Sequence, residues 1–258
     1  MSASLSTTPG APFGTAIVVG ASSGIGESMV RKLAAGGTRV AAIARRKSEL
    51  DRIESSVQLP AGGAGKVIGY AHDVRDYDAT PALFDRIVQD LGGCDLIVYN
   101  AGVMPRIEES EYDFTKDREM IEVNLLAAMC WLNLASAHME AQRKGTICGI
   151  SSVAGDRGRR GNPAYHTSKA GLTTYLEALR NRLSRYGVSV VTVKPGPVDT
   201  PMTKGLKLPL MIGVDQAADG ALALMRSGAA EGYVPAVWGP IMWVIRNVPS
   251  VLFRRTNI

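Results

Sequence analysis

Short runs of β-branched and aliphatic residues alternate with amphipathic stretches along most of this chain, and no other sequence feature limits its possible folds as strongly. Between the runs, apolar residues recur at three- and four-residue spacing, as in 120–139 and 164–185, which is typical of helices. Strands that alternate with helices form parallel sheets through right-handed crossovers. We therefore predict an α/β fold, a doubly wound sheet of about seven parallel strands with helices on both faces, from strands at 15–20, 38–44, 66–71, 94–100, 145–151, 188–195 and 232–238.

The domain organisation follows from length and loop content. A chain of 258 residues fits one α/β domain, because such domains often run to about 250 residues. We predict a flexible, polar N-terminal arm over 1–13 and a single domain over 14–258. The irregular segment at about 200–213 has the length of a functional loop, so we expect it to form a lid over a binding site.

The apolar C-terminal tail, 239–258, is interrupted by Arg246 and Pro249. It could line a pocket, pack against a partner subunit or touch a bilayer surface. An interfacial helix usually carries more Lys and Arg on one face. We therefore favour packing in the core or in an interface, with peripheral membrane contact as the alternative.

Charge and cysteine content argue against several classes of protein. The formal net charge is +5, but the basic residues are scattered without a groove-reading motif, so we predict no nucleic-acid partner. No run reaches the ~18 consecutive apolar residues of a membrane span, and the chain does not open with the pattern of a secretory signal. Three cysteines without a CxxC pair argue against a disulfide framework or a metal site. We predict a cytoplasmic protein that binds no metal.

A glycine-rich turn follows the first predicted strand and opens directly into a helical stretch. Glycine permits a tight turn and close backbone approach, while the N–H groups at a helix N-terminus bind phosphate. A Gly-rich turn is often only a turn, but its place after the first strand favours a dinucleotide pyrophosphate site. The residues expected to line that site are Gly20, Ser22, Ser23, Gly24, Ile25 and Gly26.

The end of the second predicted strand reads Arg45-Arg46, where an NAD enzyme tends to place a carboxylate for the ribose 2′-hydroxyl. Arginine pairs with a 2′-phosphate through a bidentate, charge-assisted fork. Two solvated arginines at a helix start are the alternative, but cations are poorly placed near the positive end of a helix. NADP is therefore favoured over NAD.

A second helix start is predicted at Asn162-Pro163, with Asn162 as N-cap and Pro163 at the first helical position. Tyr165 and Lys169 are four residues apart and so share one face of that helix. A nearby ammonium and the helix dipole both stabilise a phenolate, so we expect the pKa of Tyr165 to be lowered toward a working range. Pairs with this spacing are common by chance, and most lie on solvated helix faces.

Taken together, four motifs resemble the short-chain dehydrogenase/reductase family, in its short single-domain branch. These are Gly20 to Gly26, Asn100-Ala101-Gly102, Ser152 thirteen residues before Tyr165, and Tyr165-x-x-x-Lys169, and their order holds from residue 15 to about 238. The resemblance implies a Rossmann-type, dinucleotide-binding catalytic domain. It also implies an oxidoreductase that transfers a hydride between nicotinamide and a small-molecule carbonyl or secondary alcohol.

The resemblance implies a role for each matching residue. Tyr165 would donate the proton in reduction and accept it in oxidation, and Lys169 would lower the pKa of Tyr165 and hold the nicotinamide ribose. Ser152 would hydrogen-bond the substrate carbonyl, and Asn124 would anchor a water in the proton relay. Further cofactor contacts would come from Asp73, Val74, Asn100, Ala101, Gly102, Pro195, Gly196, Val198 and Thr200. Family members are commonly dimers or tetramers built on the helices that hold Asn124 and Tyr165, which implies a homodimer or homotetramer.

The chain departs from the family pattern at two positions. Tyr99 replaces the first Asn of Asn-Asn-Ala-Gly, and Ser23 stands where many NADP-binding members carry a basic residue. The second departure weakens the argument for NADP. Ser151 adjoins Ser152, and spacing to Tyr165 is the reason for choosing Ser152, so an assignment shifted by one residue stays open.

Two other functions compete with this interpretation. An α/β-hydrolase would also alternate strands and helices, but Gly149-Ile150-Ser151-Ser152-Val153 lacks the last glycine of the G-x-S-x-G elbow. A non-catalytic NADP-binding sensor or structural protein on the same fold is the second alternative. Such a protein would be expected to lose Tyr165 or Lys169, and this chain keeps both.

The loop Asp156 to Gly161 carries three arginines between the Ser and Tyr motifs. These arginines could bind a phosphate, a carboxylate or an acyl-carrier protein. A solvated loop or a subunit contact explains them at least as well, because charge runs usually face water. With the apolar lid and tail, these arginines motivate the hypothesis of a hydrophobic substrate that bears an anionic group. Under that hypothesis, Arg157 and Arg159 would bind the anion.

Overall fold

The computed structural model describes residues 13–59, 65–206 and 208–256. Residues 1–12 of the predicted arm, Lys207 of the predicted lid and the last two residues of the predicted tail lie outside the described residues. Phe13, the last residue of the predicted arm, is only 7% exposed, and the Thr38 hydroxyl donates to its carbonyl oxygen at 2.8 Å. This aromatic side chain therefore packs in the core, and the division into an arm and a single domain stays a prediction.

Over the described residues the chain forms one parallel sheet, with strand order β3-β2-β1-β4-β5-β6-β7. This confirms the predicted fold class. The last strand ends at Val234, short of the predicted 238, because Pro235 has no N–H for the ladder and a helix begins at Trp238. The strands are β1 (Thr15–Val19), β2 (Arg39–Ala44), β3 (Lys66–Ala71), β4 (Leu96–Tyr99), β5 (Gly145–Ile150), β6 (Val188–Pro195) and β7 (Glu231–Val234).

The helices of the described residues occupy the intervals between strands and the C-terminal tail. The predicted helical stretch 120–139 falls in a longer helix that a π-helical turn, Glu122–Leu126, divides in two, and the stretch 164–185 corresponds to α6. The helices are α1 (Gly24–Ala35), α2 (Lys47–Ser56), α3 (Thr80–Leu91), α4 (Phe114–Ile121), α5 (Ala127–Gln142), α6 (Pro163–Leu183), α7 (Val214–Ser227), α8 (Trp238–Asn247) and α9 (Ser250–Phe253).

The sheet is covered by helices on both faces. Successive strand residues point to opposite faces, so Ile17 and Val19 pack with α3, α5 and α6, whereas Ala16 and Val18 pack with α1, α2 and α7. All five residues of β1 are buried. This double cover explains why the central strands read as continuous apolar runs rather than as alternating ones.

One helix of the described residues, Phe114–Gln142, is long and apolar enough by length and composition to cross a membrane. Half of its apolar window is buried inside the fold, and Trp131 and Leu132 are fully buried against the sheet. Core helices of this kind pass the same test, so the feature is weak evidence for a span. The absence of a membrane span stays a prediction.

The strand order reverses between β1 and β4, and this places a crevice at one edge of the sheet. Crossovers from these two neighbouring strands lead to opposite faces, so the carboxyl ends of β1 and β4 are left uncovered between them. Gly20 follows β1 and Asn100 follows β4. The fold thus brings the glycine-rich turn and the Asn-Ala-Gly motif together at the place where open α/β sheets bind ligands.

Candidate active site

The glycine-rich turn joins β1 to α1 by close backbone contacts. The amides of Gly20 and Ala21 both donate to the Ile43 carbonyl, at 2.9 and 3.0 Å, and Gly20 adopts φ +88°, a conformation that favours glycine. A Cβ atom on Gly26 would collide with the Gly20 carbonyl. Only glycine therefore allows α1 to start this close to the strand.

The N-terminus of α1 fits a pyrophosphate group. Ser23 is the N-cap, in extended conformation, and its side chain makes no capping hydrogen bond. The first N–H groups of a helix have no intrahelical acceptor, and the helix dipole adds positive charge at this end. The residues of this turn therefore suit the anionic centre of a dinucleotide.

Arg45 and Arg46 lie at the far end of the same cavity, after β2. Both residues are exposed, and Arg46 Nη2 donates to Ser22 Oγ of the glycine turn at 2.9 Å. Asp73 also lines the cavity, but Arg75 pairs with it at 2.7 Å. Hydrogen bonds from Arg75 hold the pKa of Asp73 down at about 2, so this carboxylate stays ionised.

The Asn100 side chain connects the two strands of the crevice. Its amide nitrogen donates to the Gly20 carbonyl at 2.8 Å, and its backbone amide donates to Val19 at 2.9 Å. Tyr99, the family departure, is fully buried and donates its hydroxyl to the Val123 carbonyl. The substitution at Tyr99 is thus accommodated within the core, beside an intact Asn100.

Ser152 and Tyr165 meet across the cavity. Ser152 caps a short 3₁₀ turn, Val153–Gly155, and its side chain also hydrogen-bonds that of Tyr165. By contrast, Ser151 Oγ is buried and bonded to the Lys169 carbonyl at 3.0 Å and to Thr173 Oγ1 at 2.7 Å. The geometry therefore favours Ser152 over Ser151 as the serine that faces a substrate.

Tyr165 is placed by the predicted start of α6. Asn162 is the N-cap, with a left-handed φ of +53°, and its side-chain oxygen accepts the Tyr165 amide at 3.2 Å; Pro163 is the first residue of the helix. These two predictions are confirmed. The other end of the Asn162 amide donates to the Pro105 carbonyl at 3.0 Å, which fixes the helix start against the wall of the cleft.

Lys169 lies below Tyr165 on the same helix face. It is 5% exposed, and its Nζ donates to the Ile150 carbonyl at 2.9 Å, 5.8 Å from the centre of the Tyr165 ring. Burial lowers the pKa of Lys169 to about 8 and raises the pKa of Tyr165, while the hydrogen bond from Ser152 works in the opposite direction at Tyr165. The expected lowering of the Tyr165 pKa is therefore wrong for this structure, because desolvation outweighs the charge of an ammonium that is directed at a backbone carbonyl.

Asn124 sits in the π-helical turn and is fully buried. Its side chain accepts the Val103 amide at 2.7 Å and donates to the Val103 carbonyl at 3.0 Å and to Ser168 Oγ at 3.1 Å. A Cβ on Gly102 would lie 3.4 Å from Asn124 Oδ1 and 3.6 Å from Lys169 Nζ. The structure thus places Asn124 next to the site, as a clamp on the chain after β4, and its role in a proton relay stays a prediction.

All these groups surround one cavity of about 610 Å³, a size typical of small-molecule sites. Of the predicted site residues, which are all described, Gly26 and Asn124 stand just behind the lining. The predicted residues that line it are Gly20, Ser22, Ser23, Gly24, Ile25, Arg45, Arg46, Asp73, Val74, Asn100, Ala101, Gly102, Ser152, Tyr165, Lys169, Pro195, Gly196, Val198 and Thr200.

The segment after β6 forms another wall. A Cβ on Gly24 would lie 3.2 Å from Thr200 Cγ2, so this segment reaches the glycine turn. Asp199 and Ile212 are joined by a 2.9 Å backbone hydrogen bond, which ties the two ends of the predicted lid together. Met202, Leu208 and Pro209 of that segment line the cavity. Its opening and closing as a lid stays a prediction.

The three arginines of the 156–161 loop have different environments. Arg157 donates to the carbonyls of Ile245, Arg246 and Val248 at the end of α8, and its guanidinium lies 3.8 Å from the centre of the Phe253 ring. Arg160 donates to the Arg254 carbonyl at 3.0 Å. The expectation that Arg157 binds a substrate anion is therefore wrong, since this side chain caps the C-terminal helices.

Sequence reasoning missed a buried polar network beside the cavity. Lys194 pairs with Asp156 at 2.9 Å and with Glu231 at 3.1 Å, and Tyr233 donates to Asp156 at 2.7 Å. A lysine inside the apolar run of β6 was the available signal, because a buried lysine requires a paired carboxylate. The network connects the arginine loop to β6 and β7. Trp238, which packs on Gly196 and lines the cavity, was also missed.

Comparison with known proteins gives the family. The sequence model of the family described as short chain dehydrogenase matches residues 14–209. An uncharacterized oxidoreductase of Myxococcus xanthus is 34% identical over 85% of each chain. A 3-oxoacyl-[acyl-carrier-protein] reductase of Thermotoga maritima is 33% identical over 74% of this chain and 76% of its own.

A solved short-chain type dehydrogenase/reductase of Mycobacterium ulcerans shares the fold, with a TM-score of 0.78 at 22% identity over 85% of this chain and 86% of its own. The chain belongs to the short-chain dehydrogenase family. It is accordingly an oxidoreductase, of a family whose members use nicotinamide dinucleotides and act on small molecules.

Proposed function

We propose that this protein is an NADP(H)-dependent carbonyl reductase or alcohol dehydrogenase with a hydrophobic substrate. The observation that carries the proposal is the convergence of Ser152, Tyr165 and Lys169 on the cavity that also contains the glycine turn. A proton donor, a hydrogen-bond donor and a phosphate-binding helix start at one cavity are the parts that carbonyl reduction needs.

Each side chain has a distinct task in this proposal. A dinucleotide held by the glycine turn would supply or accept the hydride. Ser152 and Tyr165 hold the substrate oxygen between their hydroxyls, and Tyr165 gives its proton to that oxygen in reduction or takes it in oxidation. Lys169 would hold the nicotinamide ribose of a bound cofactor and would favour the phenolate when the proton leaves. Asn124 keeps the chain after β4 in place, through Val103, and anchors a water in the proton relay.

The preference for NADP rests on Arg45 and Arg46. Both are exposed at the cavity end next to Asp73 and Val74, and the residue directly after β2 is a cation rather than a carboxylate. The hydrogen bond from Arg46 to Ser22 holds one guanidinium over the glycine turn. A 2′-phosphate there would receive charge-assisted hydrogen bonds.

The hydrophobic character of the substrate rests on the apolar part of the cavity lining. Met104, Met202, Leu208, Pro209 and Trp238 belong to it. These side chains can cover an apolar body and offer it few hydrogen bonds. The name of the 3-oxoacyl reductase relative supports ketone chemistry, and it does not decide between acyl and other apolar ketones.

The proposal is tested by titration of the purified protein with NADPH and NADH, followed by a ketone panel monitored through nicotinamide absorbance. We expect tighter binding of NADPH, turnover, and a loss of kcat of roughly 100- to 10,000-fold in Tyr165→Phe. Tyr175→Phe is the matched control, because this tyrosine lies on the same helix but bonds to Asn133. Binding without turnover would favour the non-catalytic sensor, and absence of nucleotide binding would overturn the proposal.

We further propose that the protein works in the cytoplasm as a homodimer or homotetramer, without a nucleic-acid partner. The three cysteines are free thiols; Cys94 and Cys148 are buried and Cys130 is partly buried, which suits a reducing compartment. Leu126, 44% exposed beside α5, supports an apolar contact on the helices implied by the family resemblance.

A further inference from the structure

Arg159 differs from the other arginines of its loop in that its side chain lines the cavity. It lies at the substrate end, since its Nη2 contacts Met242 Sδ at 3.6 Å and its charge acts on His166, the neighbour of Tyr165. The nearest core cluster consists of Val153, Trp238 and Met242. The guanidinium therefore stands against an apolar wall.

The charge of Arg159 is not neutralised by a partner within the described residues. Burial lowers the pKa of Arg159, and the charge of Asp156 opposes this effect only in part. The Asp156 carboxylate already pairs with Lys194 at 2.9 Å and accepts the Tyr233 hydroxyl at 2.7 Å. Among the described residues, the Nε of Arg159 is also one of three buried side-chain nitrogens that have no hydrogen-bond acceptor.

A half-buried cation with an unsatisfied N–H costs free energy unless an anion compensates for it. Trp238 Nε1, a second such nitrogen, belongs to a side chain that lines the same cavity. Structural arginines satisfy their donors with carbonyls, as Arg157 does with Ile245, Arg246 and Val248. Within the part of the chain that the structure describes, Arg159 lacks such acceptors, which indicates that a ligand completes its surroundings.

We propose that Arg159 binds a carboxylate of the substrate, so that the protein reduces apolar oxo acids or oxidises the corresponding hydroxy acids. The inference rests on the proposed oxidoreductase function. A carboxylate suits this place better than a phosphate, because it is planar, carries one charge and matches the guanidinium fork, whereas a dianion costs more to remove from water into an apolar cavity.

The test uses straight-chain oxoalkanoates of increasing length and the methyl ester of each, with wild type, Arg159→Met and the matched control Arg160→Met. Arg160 is exposed in the same loop and lies outside the cavity lining. We expect wild type to prefer the acid over its ester. In Arg159→Met, the KM for the acid should rise by roughly 10- to 100-fold. The kcat for the acid, and both KM and kcat for the ester, should change little, because the contact is remote from the reacting atoms.

An equal loss for acid and ester in Arg159→Met, or a wild type that prefers the ester, would overturn the inference. If Arg159→Met fails to fold, Arg159→Lys replaces it. The ratio of kcat/KM for the acid to kcat/KM for the ester should then lie between the wild-type value and one, since lysine keeps the charge but loses the fork.

A binding measurement separates this inference from the proposed function. Saturated alkanoates, which contain no ketone, should raise the melting temperature of wild type and Arg160→Met in the presence of NADP⁺, and alcohols of the same length should raise it less. This difference should vanish in Arg159→Met. If alkanoates raise the melting temperature but no ketone is turned over, the carboxylate site is supported and the proposed reaction is rejected. If alkanoates and alcohols raise the melting temperature of wild type equally, the carboxylate site is rejected.

Discussion

Burial has opposite effects on the two titratable side chains of the catalytic helix. Low polarity disfavours whichever form carries charge, so it raises the pKa of the Tyr165 phenol and lowers the pKa of the Lys169 ammonium to about 8. Both side chains are therefore shifted toward their neutral forms. A protonated Tyr165 next to Ser152 is the form that can donate to a carbonyl oxygen.

The burial of Lys169 predicts a pH-dependent cost in stability. The pKa falls from 10.5 to about 8, so the cost is fully present below pH 8 and disappears as the pH rises toward 10.5, where the lysine of the unfolded chain also loses its proton. Relative to Lys169→Met, wild type should gain up to roughly 3 kcal/mol in free energy of unfolding across this range. Urea unfolding of both proteins at a series of pH values measures the difference, and a flat difference would contradict it.

Arg46 predicts a cofactor effect that is confined to NADPH. Arg46→Gln should raise the Kd for NADPH by roughly 10- to 100-fold, because one or two charge-assisted hydrogen bonds to the 2′-phosphate are lost. The Kd for NADH, which has no 2′-phosphate, should not change. Lys47→Gln is the matched control, because Lys47 is the exposed neighbour and pairs with Asp51. Fluorescence titration gives both constants. Equal weakening of the two cofactors would argue against a 2′-phosphate contact.

At the residue scale, the sequence could predict which side chains lie together. It could not predict their pKa shifts or the groups with which the charged side chains pair. Spacing placed Tyr165 and Lys169 on one helix face, and the strand order brought Asn100 beside Gly20. The sequence could not give the direction of the Tyr165 pKa shift, because that direction depends on burial and on the orientation of Lys169. The Lys169 ammonium donates its hydrogen bond to the Ile150 carbonyl. Likewise, the loop sequence could not show that Arg157 and Arg159 have different roles, because the groups that they contact lie in the C-terminal tail, far away in sequence.

Among the structural elements, the last two helices depend most visibly on a single side chain. Arg157 satisfies three carbonyls around the end of α8 and stacks on Phe253 of α9. Helix ends leave carbonyls without intrahelical donors, and arginine is well suited to satisfy several of them. The tail thus packs on the protein's own loop on one side, while Trp243, Val244, Val251 and Leu252 are more than half exposed, and the preference for packing over a bilayer contact stays a prediction.

Arg157→Ala should loosen the C-terminal helices and leave the sheet intact. The expected local cost is roughly 1 kcal/mol, because the carbonyls left without a donor are only partly buried or exposed and water can reach them. Hydrogen exchange over 238–253 should accelerate, whereas exchange in β1 and β4 should not change. Arg255→Ala, an exposed arginine near the same end, should behave as wild type. Unchanged exchange over 238–253 would show that other contacts hold the tail.

Element boundaries were predictable where local chemistry fixes them. Asn162 and Pro163 mark the start of α6, and the β-branched runs mark the strands to within two residues at most ends. The end of β7 was missed because Val237 and Trp238 continue the apolar pattern of that strand. Pro235 cannot continue the ladder, and Trp238 instead packs on Gly196 at the start of α8, whereas Val237 stays 46% exposed just before that helix.

For the whole molecule, the alternation of strands and helices was sufficient to predict the sheet and its double cover. Assembly is the part that a single chain leaves as a proposal. We expect wild type to elute with two or four times the 27.4 kDa mass of one chain, and Leu126→Glu to shift it toward one chain, because a charge buried in an apolar contact is costly. Leu59→Glu is the control, at 46% exposure on another part of the surface. Light scattering after size exclusion reads the masses, and a monomeric wild type would refute the proposal.

The parallel arrangement of the strands also has a practical consequence for handling the protein. Residue 13 enters the sheet at the edge where the strands begin, whereas the cavity lies at the edge where they end. The final helices, by contrast, are fastened through Arg157 to the loop that holds Arg159. A surface attachment or a fluorescent label near residue 13 should therefore leave the cavity open to solution, whereas one on the final helices would lie close to the loop that holds Arg159.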